Sequence, residues 1–431
     1  METSTPPQAS SVKLAQPSAW IEVDLACLRA NLKILKSFTA EDSPGKPGVS
    51  GAAGFLQPPQ EGVPARGFMP AGGGEAERSS PLTGTCVAFM AVVKANAYGH
   101  GLIPVANALR DHVEWFAVAS LQEGTLLRKN GFSHPILVFG HLAPGEIQSA
   151  LDWDLTLSVS DAEYAGWVND AAARSGVRAH VHVKVDTGMG RFGFSLEDSE
   201  NEILRMAAFS HLNLEGLYTH FPQAERLRDP FTLRQIGQFS EIKETLSRQG
   251  LSFKWTHASG SSGIVNYSEA HFNLVRPGLM LYGLYTDLAL CEKISLHPAL
   301  SFRARWVLIK KIAAGTSVGY GRTFVSERDT QIGILPVGYS HGYAWALQGK
   351  SRVLYKGESY CVAGRVSMDT MAVDLGPGTE ASPGDIVTLI GRENNQAITA
   401  EELAAKSGTI SYEVVTRLSP FLERVYSDPI L

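Results

Sequence analysis

Between residues 86 and 283, short apolar runs alternate with amphipathic stretches, and this alternation constrains the fold more than any other feature. Helical patterns such as 161–175, 197–208 and 231–249 separate the apolar runs. Eight strands alternating with helices predict a (β/α)8 barrel, and the number eight favours it over a doubly wound α/β sheet. The eight strand candidates are FMAVVKA (89–95), EWFAVAS (114–120), PILVFG (135–140), LTLSVS (155–160), AHVHVKVD (179–186), LEGLYTH (214–220), FKWTHAS (253–259) and LVRPGLMLYG (274–283).

The character of the sequence changes after about residue 289. Runs of β-branched and aromatic residues, separated by Gly, Pro and Asp turns, occupy 299–425. They predict a mainly-β domain with one helix near 399–407. We therefore predict a barrel domain over 18–288, followed by a β-strand domain over 289–431.

Two segments carry neither helical nor strand periodicity. Residues 1–17 are polar and lack the apolar stretch of a secretion signal, so we predict a disordered leader. Residues 40–84 are rich in Gly, Pro and Ala, which predicts a disordered insertion in the barrel domain. A strand, WIEVDL (20–25), and a first helix (26–37) lie between them, and the strand could pair with either domain.

Charge and cysteine content exclude several classes of function. Lys and Arg total 38 against 43 Asp and Glu, so neither nucleic acid nor an anionic membrane is an expected partner. No apolar run approaches the roughly 20 residues of a membrane span. The four cysteines show no metal-binding or disulfide spacing, so we expect no metal and a reducing, cytoplasmic location.

The segment AVVKANAYGHG (91–101) carries the strongest chemical signal. Lys94 ends an apolar strand, where lost hydration favours a neutral, nucleophilic amine. A structural lysine whose stem covers the strand edge is the alternative, and chemistry alone leaves the two open. The string closely resembles the cofactor-lysine motif of alanine racemases. That resemblance implies pyridoxal 5'-phosphate as the cofactor, bound to Lys94 as a Schiff base, with Tyr98 donating to its phosphate.

Two further barrel segments, HVKVDTGMGRFGF (182–194) and LEGLYTHF (214–221), resemble motifs of the same family. The resemblance places Arg191 beside the phenolic oxygen of the cofactor and the substrate, and makes Lys184 a candidate for carbamylation. It also stacks His220 against the cofactor ring. A hydrogen-bonded core histidine is the alternative, but His220 ends a barrel strand, where barrel enzymes keep their chemistry.

The segments WTHASGSSG (255–263) and LVRPGLMLYG (274–283) resemble the family's phosphate site and its partner for the ring nitrogen. His257 is a plausible supporting donor, and Gly260 stands where the family more often has asparagine, so one supporting hydrogen bond is expected to be missing. The resemblance implies one hydroxyl and two backbone amides as phosphate donors: Ser261, Gly278 and Leu279.

Arg276 has the larger consequence for the reaction. Most pyridoxal enzymes place a carboxylate on the ring nitrogen, which keeps that nitrogen protonated. The resemblance implies Arg276 at this position instead. An arginine stays cationic and can only donate, so the ring nitrogen should be unprotonated. The resulting carbanion is less delocalised, which suits an enzyme that must return the proton promptly.

The β domain is expected to supply a second base. Racemisation needs one base on each face of Cα. SVGYGRTF (317–324) resembles the family's catalytic tyrosine motif, which makes Tyr320 the partner of Lys94. The resemblance implies that Tyr320 reaches the site from the other subunit of a head-to-tail homodimer. Contacts through His220 to the cation of Arg276 would favour its phenolate form.

Two segments, LPVGYSHGY (335–343) and GRVSMDTM (364–371), resemble the family's substrate gate. A third, SYEVVTRLSPFLERVY (411–426), resembles its closing segment. The gate is expected to place Tyr339 and Met368 at the mouth of the pocket, with substrate contacts. His341 stands where the family usually has aspartate. Pro420 stands where some members have a phosphate-binding tyrosine, so we expect one phosphate donor fewer.

The resemblance covers almost the whole ordered chain and implies interconversion of L- and D-alanine, which supplies D-alanine for peptidoglycan. A racemase of another small amino acid, such as serine, is the nearest alternative. A barrel-fold decarboxylase of basic amino acids is another, but it would need a carboxylate in place of Arg276. It would also need a catalytic cysteine in the β domain, and Cys361 lies in no matching motif. A non-catalytic cofactor carrier of the single-barrel type would lack the β domain.

Overall fold

The structure is a computed structural model that describes residues 17–40 and 87–428. Except for Pro17 and Ala40, the predicted leader (1–17) and insertion (40–84) lie outside the described residues. Within the two described ranges, no helix is long and apolar enough to cross a membrane.

The described chain begins with strand β1 (Ala19–Asp24) and helix α1 (Leu25–Ser37). Asp24 ends the strand and caps the helix, because its side chain accepts hydrogen bonds from the N–H groups of Ala26 and Cys27. This cap sets the helix start one residue before the predicted position.

Eight parallel strands then form the sheet of the first domain, in the spatial order β8-β7-β6-β5-β4-β3-β2-β9. The predicted barrel architecture is confirmed. The backbone bonds from Asn273 N to Thr256 O and from Arg276 N to Ser259 O bring the two ends of the sheet together. The strands are β2 (Ala88–Val92), β3 (Trp115–Val118), β4 (Ile136–Val138), β5 (Thr156–Val159), β6 (Ala179–Lys184), β7 (Leu212–Tyr218), β8 (Trp255–His257) and β9 (Leu274–Val275).

The predicted extent of the last strand, 274–283, is wrong. β9 ends at Val275 because Pro277 has no N–H to donate, and residues Leu279–Tyr282 form a 3-10 helix.

Helices occupy the connections between the barrel strands, and neighbouring helices pack on one another. The first of them, α2, is a single turn that carries Lys94. The helices are α2 (Lys94–Tyr98), α3 (Leu102–Leu109), α4 (Leu121–Lys129), α5 (Pro144–Asp152), α6 (Ala162–Ser175), α7 (Ser199–Met206), α8 (Pro230–Arg248) and α9 (Ser261–Asn266).

The second domain is mainly β, as predicted, with its long sheet in the order β11-β14-β17-β16-β15-β18-β10-β1-β20. A two-stranded ribbon and two helices complete it, and the predicted helix near 399–407 is present. The elements are β10 (Leu300–Arg305), β11 (Leu308–Ile312), β12 (Ser317–Val318), β13 (Phe324–Val325), β14 (Thr330–Leu335), β15 (Arg352–Tyr355), β16 (Glu358–Ala363), β17 (Met371–Gly376), β18 (Ile386–Glu393), β19 (Gln396–Ile398), α10 (Ala400–Ser407), α11 (Ser411–Thr416) and β20 (Glu423–Ser427).

The N-terminal strand belongs to this second sheet, which answers the pairing question that the sequence leaves open. β1 lies between β10, to which it is antiparallel, and β20, to which it is parallel. Trp20, for example, stands opposite both Arg303 and Glu423. The chain therefore starts in the second sheet and only then enters the barrel.

Each domain has its own apolar core, but α10 and α11 tie the two together. Val415 of α11 and Ala400 of α10 are buried in the apolar cluster of the barrel, although both follow the second sheet in the chain. Full burial of one large apolar side chain stabilises a fold by about 1.5–3 kcal/mol. This packing brings α11 close to the turn that carries Lys94.

Candidate active site

A cavity of ≈ 340 Å³ opens at the carboxyl ends of the barrel strands. Its volume lies within the range of small-molecule sites. Lys94 follows β2, and Lys184 ends β6. His220 lies two residues after the end of β7, and Arg276 comes directly after β9. The cavity therefore occupies the face on which barrel enzymes carry out their chemistry.

The structure brings most of the predicted site residues into this one cavity. Nine of them line it: Lys94, Tyr98, Lys184, Arg191, His220, Ser261, Arg276, Gly278 and Leu279. Three others do not. Tyr320, Tyr339 and Met368 lie on the second domain with 72%, 45% and 55% of their surface exposed.

The turn that carries Lys94 is wound left-handed. Residues 95–98 all have φ 53 without a glycine among them. This conformation costs roughly 1–2 kcal/mol per residue, so the surroundings must hold it. The Glu123 carboxylate does so by accepting from the N–H groups of Asn96 (3.2 Å) and Ala119 (3.0 Å). As a result, Lys94 and the tyrosine at the end of the turn both reach the cavity.

The Lys94 amine is poised to lose its charge. Burial lowers its pKa, the cation of Arg191 lowers it further, and the carboxylate of Glu123 opposes both. A lower pKa increases the share of neutral amine, which is the nucleophilic form.

Lys184 lies nearby and has a pKa lowered to about 8. The causes are burial first and then the cation of Arg191, with a smaller effect of Arg276; Asp186 opposes them. Its Nζ lies 5.7 Å from the centre of the Phe192 ring. The cavity thus contains two lysines whose neutral forms are favoured by the same surroundings.

The loop that carries Arg191 is held by one carboxylate. Asp186 accepts backbone N–H bonds from three consecutive residues beginning at Gly188 and from Arg191 itself (3.0 Å). Gly193 has φ +125, and a Cβ there would lie 2.6 Å from Asp186 N, so only glycine fits. The tight loop fixes the backbone of Arg191 beside the cavity.

Arg276 is buried and is held entirely by neutral groups. It donates to Nδ1 of His257 (2.8 Å) and Nδ1 of His220 (3.1 Å), and to the carbonyls of Thr219 and Ala258 (2.8 Å each). Burial lowers its pKa to about 10, which leaves it cationic at neutral pH. Within the described part of the chain, no ion pair to a carboxylate involves Arg276.

The expectation that His257 supports the phosphate site is wrong. One ring nitrogen of His257 accepts from Arg276, and the other lies 2.8 Å from Nδ1 of His182. Its ring also stacks on Tyr218 at 4.7 Å. His257 therefore supports Arg276.

Another part of the cavity lining consists of neutral donors. The Ser261 hydroxyl oxygen accepts from the N–H groups of Gly278 (2.9 Å) and Met280 (3.3 Å). A Cβ at Gly278 would lie 2.7 Å from the Tyr98 hydroxyl oxygen, so any larger residue there would displace this hydroxyl. Hydroxyls and amides that converge in this way suit a phosphate group. Gly260, which precedes α9, supplies no side-chain cap, as expected from the missing asparagine.

Tyr412 is a cavity residue that the sequence reasoning missed. It lies on α11, lines the cavity, and its ring centre is 6.1 Å from that of Tyr98. The expectation of one phosphate donor fewer rests on Pro420, but the closing segment presents a tyrosine to the cavity eight positions earlier. The remaining lining residues that were missed are Val92, Ala119, Phe139, Gly140, Phe192 and Tyr218.

The chain matches two family models that together span both domains. Residues 78–286 match the alanine racemase N-terminal domain, and residues 299–426 match the alanine racemase C-terminal domain. An alanine racemase of Desulforamulus reducens is 41% identical over 341 residues, which cover 78% of this chain and 91% of that protein. One of Carboxydothermus hydrogenoformans is 39% identical over 341 residues, covering 78% and 92%.

Solved structures agree with these sequence matches. An alanine racemase of Clostridium difficile superposes with a TM-score of 0.82 at 30% identity, covering 96% of this chain and 97% of that one. The Bacillus anthracis alanine racemase with bound L-Ala-P gives a TM-score of 0.80 at 30% identity, covering 96% of each chain. The chain belongs to the alanine racemase family.

Proposed function

We propose that this protein interconverts L- and D-alanine with pyridoxal 5'-phosphate bound in the barrel cavity. The observation that carries the proposal is Arg276: a buried cation, held by neutral partners, in the lining of the same cavity as the phosphate-type donors. A decarboxylase of this fold would need a carboxylate there. The proposed product, D-alanine, is a precursor of peptidoglycan, and we propose a cytoplasmic location for its synthesis.

The donors in the cavity fit each part of this cofactor. The Lys94 amine suits the aldehyde, Arg276 the ring nitrogen, Arg191 the phenolic oxygen, and the imidazole of His220 one face of the ring. When bound, pyridoxal phosphate withdraws electrons from Cα of an amino acid and makes its proton removable. The phosphate would be held by the hydroxyls and amides in the lining: Tyr98, Ser261, Gly278, Leu279 and Tyr412.

The protein's own part in the reaction is to move one proton between the two faces of Cα. On one face, the neutral amine of Lys94 accepts or returns the proton at Nζ. On the other face, the phenol oxygen of Tyr320 does the same. Arg191 lies at the same cavity and would hold the substrate carboxylate by charge-assisted hydrogen bonds.

Tyr320 reaches the cavity in this proposal from a second copy of the chain. The second domain exposes several large apolar side chains, including Tyr320 (72%), Trp345 (50%) and Phe421 (97%). Exposed apolar side chains of this size are available for burial against a second copy of the chain. A head-to-tail homodimer would bring this surface of each copy to the cavity of the other, with Tyr339 and Met368 at its mouth.

The proposal also divides the work between the two domains. Residues 18–288 would bind the cofactor, and residues 289–431 would supply Tyr320. Bulky side chains at the mouth would limit the substrate to small amino acids, so serine is the nearest competitor of alanine.

A coupled assay with D-amino-acid oxidase over a panel of L-amino acids tests activity and specificity together. We expect a signal from L-alanine at least about tenfold above that from L-serine, because a site shaped for a methyl group leaves a hydroxyl unpaired. An oxidase signal from no amino acid of the panel would contradict the proposal. Release of CO2 from basic amino acids, measured separately, would contradict it as well. Lys94→Ala is the matched blank.

A further inference from the structure

A buried histidine, His182, contacts the His257 ring that accepts a hydrogen bond from Arg276. The proposed reaction gives His182 no role. His182, on β6, is fully buried, and its Nδ1 lies 2.8 Å from Nε2 of His257. Its ring centre is 4.8 Å from that of Trp115. Among the described residues, its Nε2 has no hydrogen-bond partner. Arg276, His257 and His182 thus form a chain that leads from the cavity into the interior of the barrel.

The chemistry of arginine fixes every proton in this chain. A guanidinium can only donate, so Nδ1 of His257 must accept, and the single proton of a neutral His257 sits on Nε2. That proton is donated to Nδ1 of His182. The proton of His182 is then left on Nε2, the nitrogen that has no partner.

Both imidazoles must stay neutral for this arrangement to hold. Burial lowers the pKa of His182 to about 3, opposed by Glu215 and helped by Arg276. Burial, followed by the cation of Arg276, also lowers the pKa of His257. A proton added to either ring would place a second buried cation beside Arg276 and would remove an acceptor from the chain.

We propose that His182 is a positioning residue for Arg276, acting through His257. Its contribution is the acceptor at Nδ1, which holds the His257 ring so that its own Nδ1 faces the guanidinium. An unpartnered buried N–H costs free energy, and an apolar residue would avoid that cost. A histidine that served only to fill the barrel would therefore be inferior to leucine. The proposal rests on the proposed function, because there Arg276 contacts the cofactor ring.

An isosteric pair of variants separates the acceptor from the volume. In His182→Asn, Oδ1 replaces Nδ1 as an acceptor, whereas His182→Leu fills the same space without one. His180→Leu is the matched control: His180 lies two residues earlier on the same strand, and its Nδ1 contacts Glu215 (3.0 Å) instead of this chain. In full-length protein, the first readout is the ring N–H proton of His257 by NMR, assigned through its absence from His257→Gln.

We expect this proton to exchange slowly in the unaltered protein, in His182→Asn and in His180→Leu, and rapidly in His182→Leu. The second readout is the kinetic split. His182→Leu should lower kcat at least about tenfold, since a small misplacement of Arg276 is costly, while KM changes less than about twofold. His182→Asn should recover most of kcat.

Two results would overturn the proposal: a slowly exchanging His257 proton in His182→Leu, or equal losses of kcat in folded His182→Asn and His182→Leu. If His182→Leu does not fold, His182→Gln replaces it in the test. The amide of glutamine lies one bond further from the backbone than that of asparagine, so its oxygen does not take the place of Nδ1. His182→Gln should lose the slow proton, and keeping both that proton and kcat would refute the proposal. The NMR measurement does not depend on turnover and therefore tests the role of His182 by itself. Failure of the proposed function would appear separately, because the unaltered protein would then not racemise alanine.

Discussion

Arg276 donates to Nδ1 of His220 over 3.1 Å, and this contact determines which nitrogen of His220 carries its proton. Burial, followed by the charge of Arg276, lowers the pKa of His220 to about 3, so the ring is neutral. Its one proton therefore sits on Nε2. In the proposed dimer, that N–H would donate to the phenol oxygen of Tyr320 and favour its basic form.

Replacing Tyr320 with phenylalanine should affect the two directions of the reaction unequally. Tyr320→Phe removes the base that serves L-alanine and leaves Lys94, the base that serves D-alanine. We expect the exchange of the Cα proton of L-alanine into deuterated water to slow by roughly 10²–10⁴-fold, and that of D-alanine far less.

Tyr360→Phe is the control for this prediction, since Tyr360 lies on β16 of the same domain and packs near Tyr355. Equal losses of exchange for the two enantiomers would argue against a two-base scheme.

Lys94 should be the residue that binds the cofactor covalently. Its amine has a lowered pKa and lies in the cavity, so reduction of the holoenzyme with borohydride should fix the cofactor on the peptide that contains Lys94. Mass spectrometry of the digest makes the measurement. Lys254→Arg, a change at an exposed lysine of the barrel domain, should leave the labelling of Lys94 unchanged. A label on Lys184 would refute the assignment.

Tyr412 should contribute to cofactor affinity. Tyr412→Phe removes one hydroxyl from the phosphate end of the cavity, and a hydrogen bond to a charged group is worth about 1.5–3 kcal/mol. We expect Kd for pyridoxal phosphate, measured by titrating the apoenzyme, to rise by about one to two orders of magnitude. Tyr285→Phe, whose hydroxyl donates to the Ile294 carbonyl, should leave Kd unchanged. An unchanged Kd in Tyr412→Phe would mean that this hydroxyl does not reach the phosphate.

Lys184 should form a carbamate. Its pKa of about 8 gives an appreciable neutral fraction at neutral pH, and Arg191 and Arg276 would stabilise the anion formed with CO2. In ¹³C-bicarbonate, the protein should show a carbamate carbon signal that disappears in Lys184→Met and persists in Lys254→Met. A signal that survives in Lys184→Met would assign the carbamate to another amine.

The buried histidines should make the protein sensitive to acid. Burial lowers the pKa of His100 to about 4 and those of His182 and His220 to about 3, from 6.5. Below pH 6.5 the unfolded chain takes up protons that the folded chain cannot, so the free energy of unfolding falls as the pH drops from 6.5 towards 3.

Urea unfolding at fixed protein concentration measures this dependence on pH. His182→Asn removes one such group, and its slope between pH 6 and 4 should be shallower by about 1.4 kcal/mol per pH unit. An unchanged slope would show that His182 is protonated in the folded protein.

The sequence predicted the barrel because each buried parallel strand is a continuous apolar run, bounded by turn residues. It could not decide the place of β1, since WIEVDL has the same apolar pattern whichever sheet it joins. The length of the last strand was misjudged because Pro277 stops the ladder within an unbroken apolar run.

Site residues near the carboxyl ends of the barrel strands were predictable. There, the family motif and the location at the catalytic face of a barrel point to the same residues. Tyr412 was missed because α11 reaches the cavity only through the packing of Val415 on the barrel, a long-range contact. His257 was assigned to the phosphate site for a similar reason: its actual partners are His182 on another strand and Arg276 after another strand.

We propose that each active site combines Lys94 of one copy with Tyr320 of another, and mixing two inactive variants tests this most directly. Lys94→Ala and Tyr320→Phe should each be inactive in L-alanine racemisation. After the two are unfolded together and refolded, roughly a quarter of the unaltered activity should return, because half of the dimers are mixed and each has one intact site. No recovery in mixtures shown to contain mixed dimers would contradict the claim.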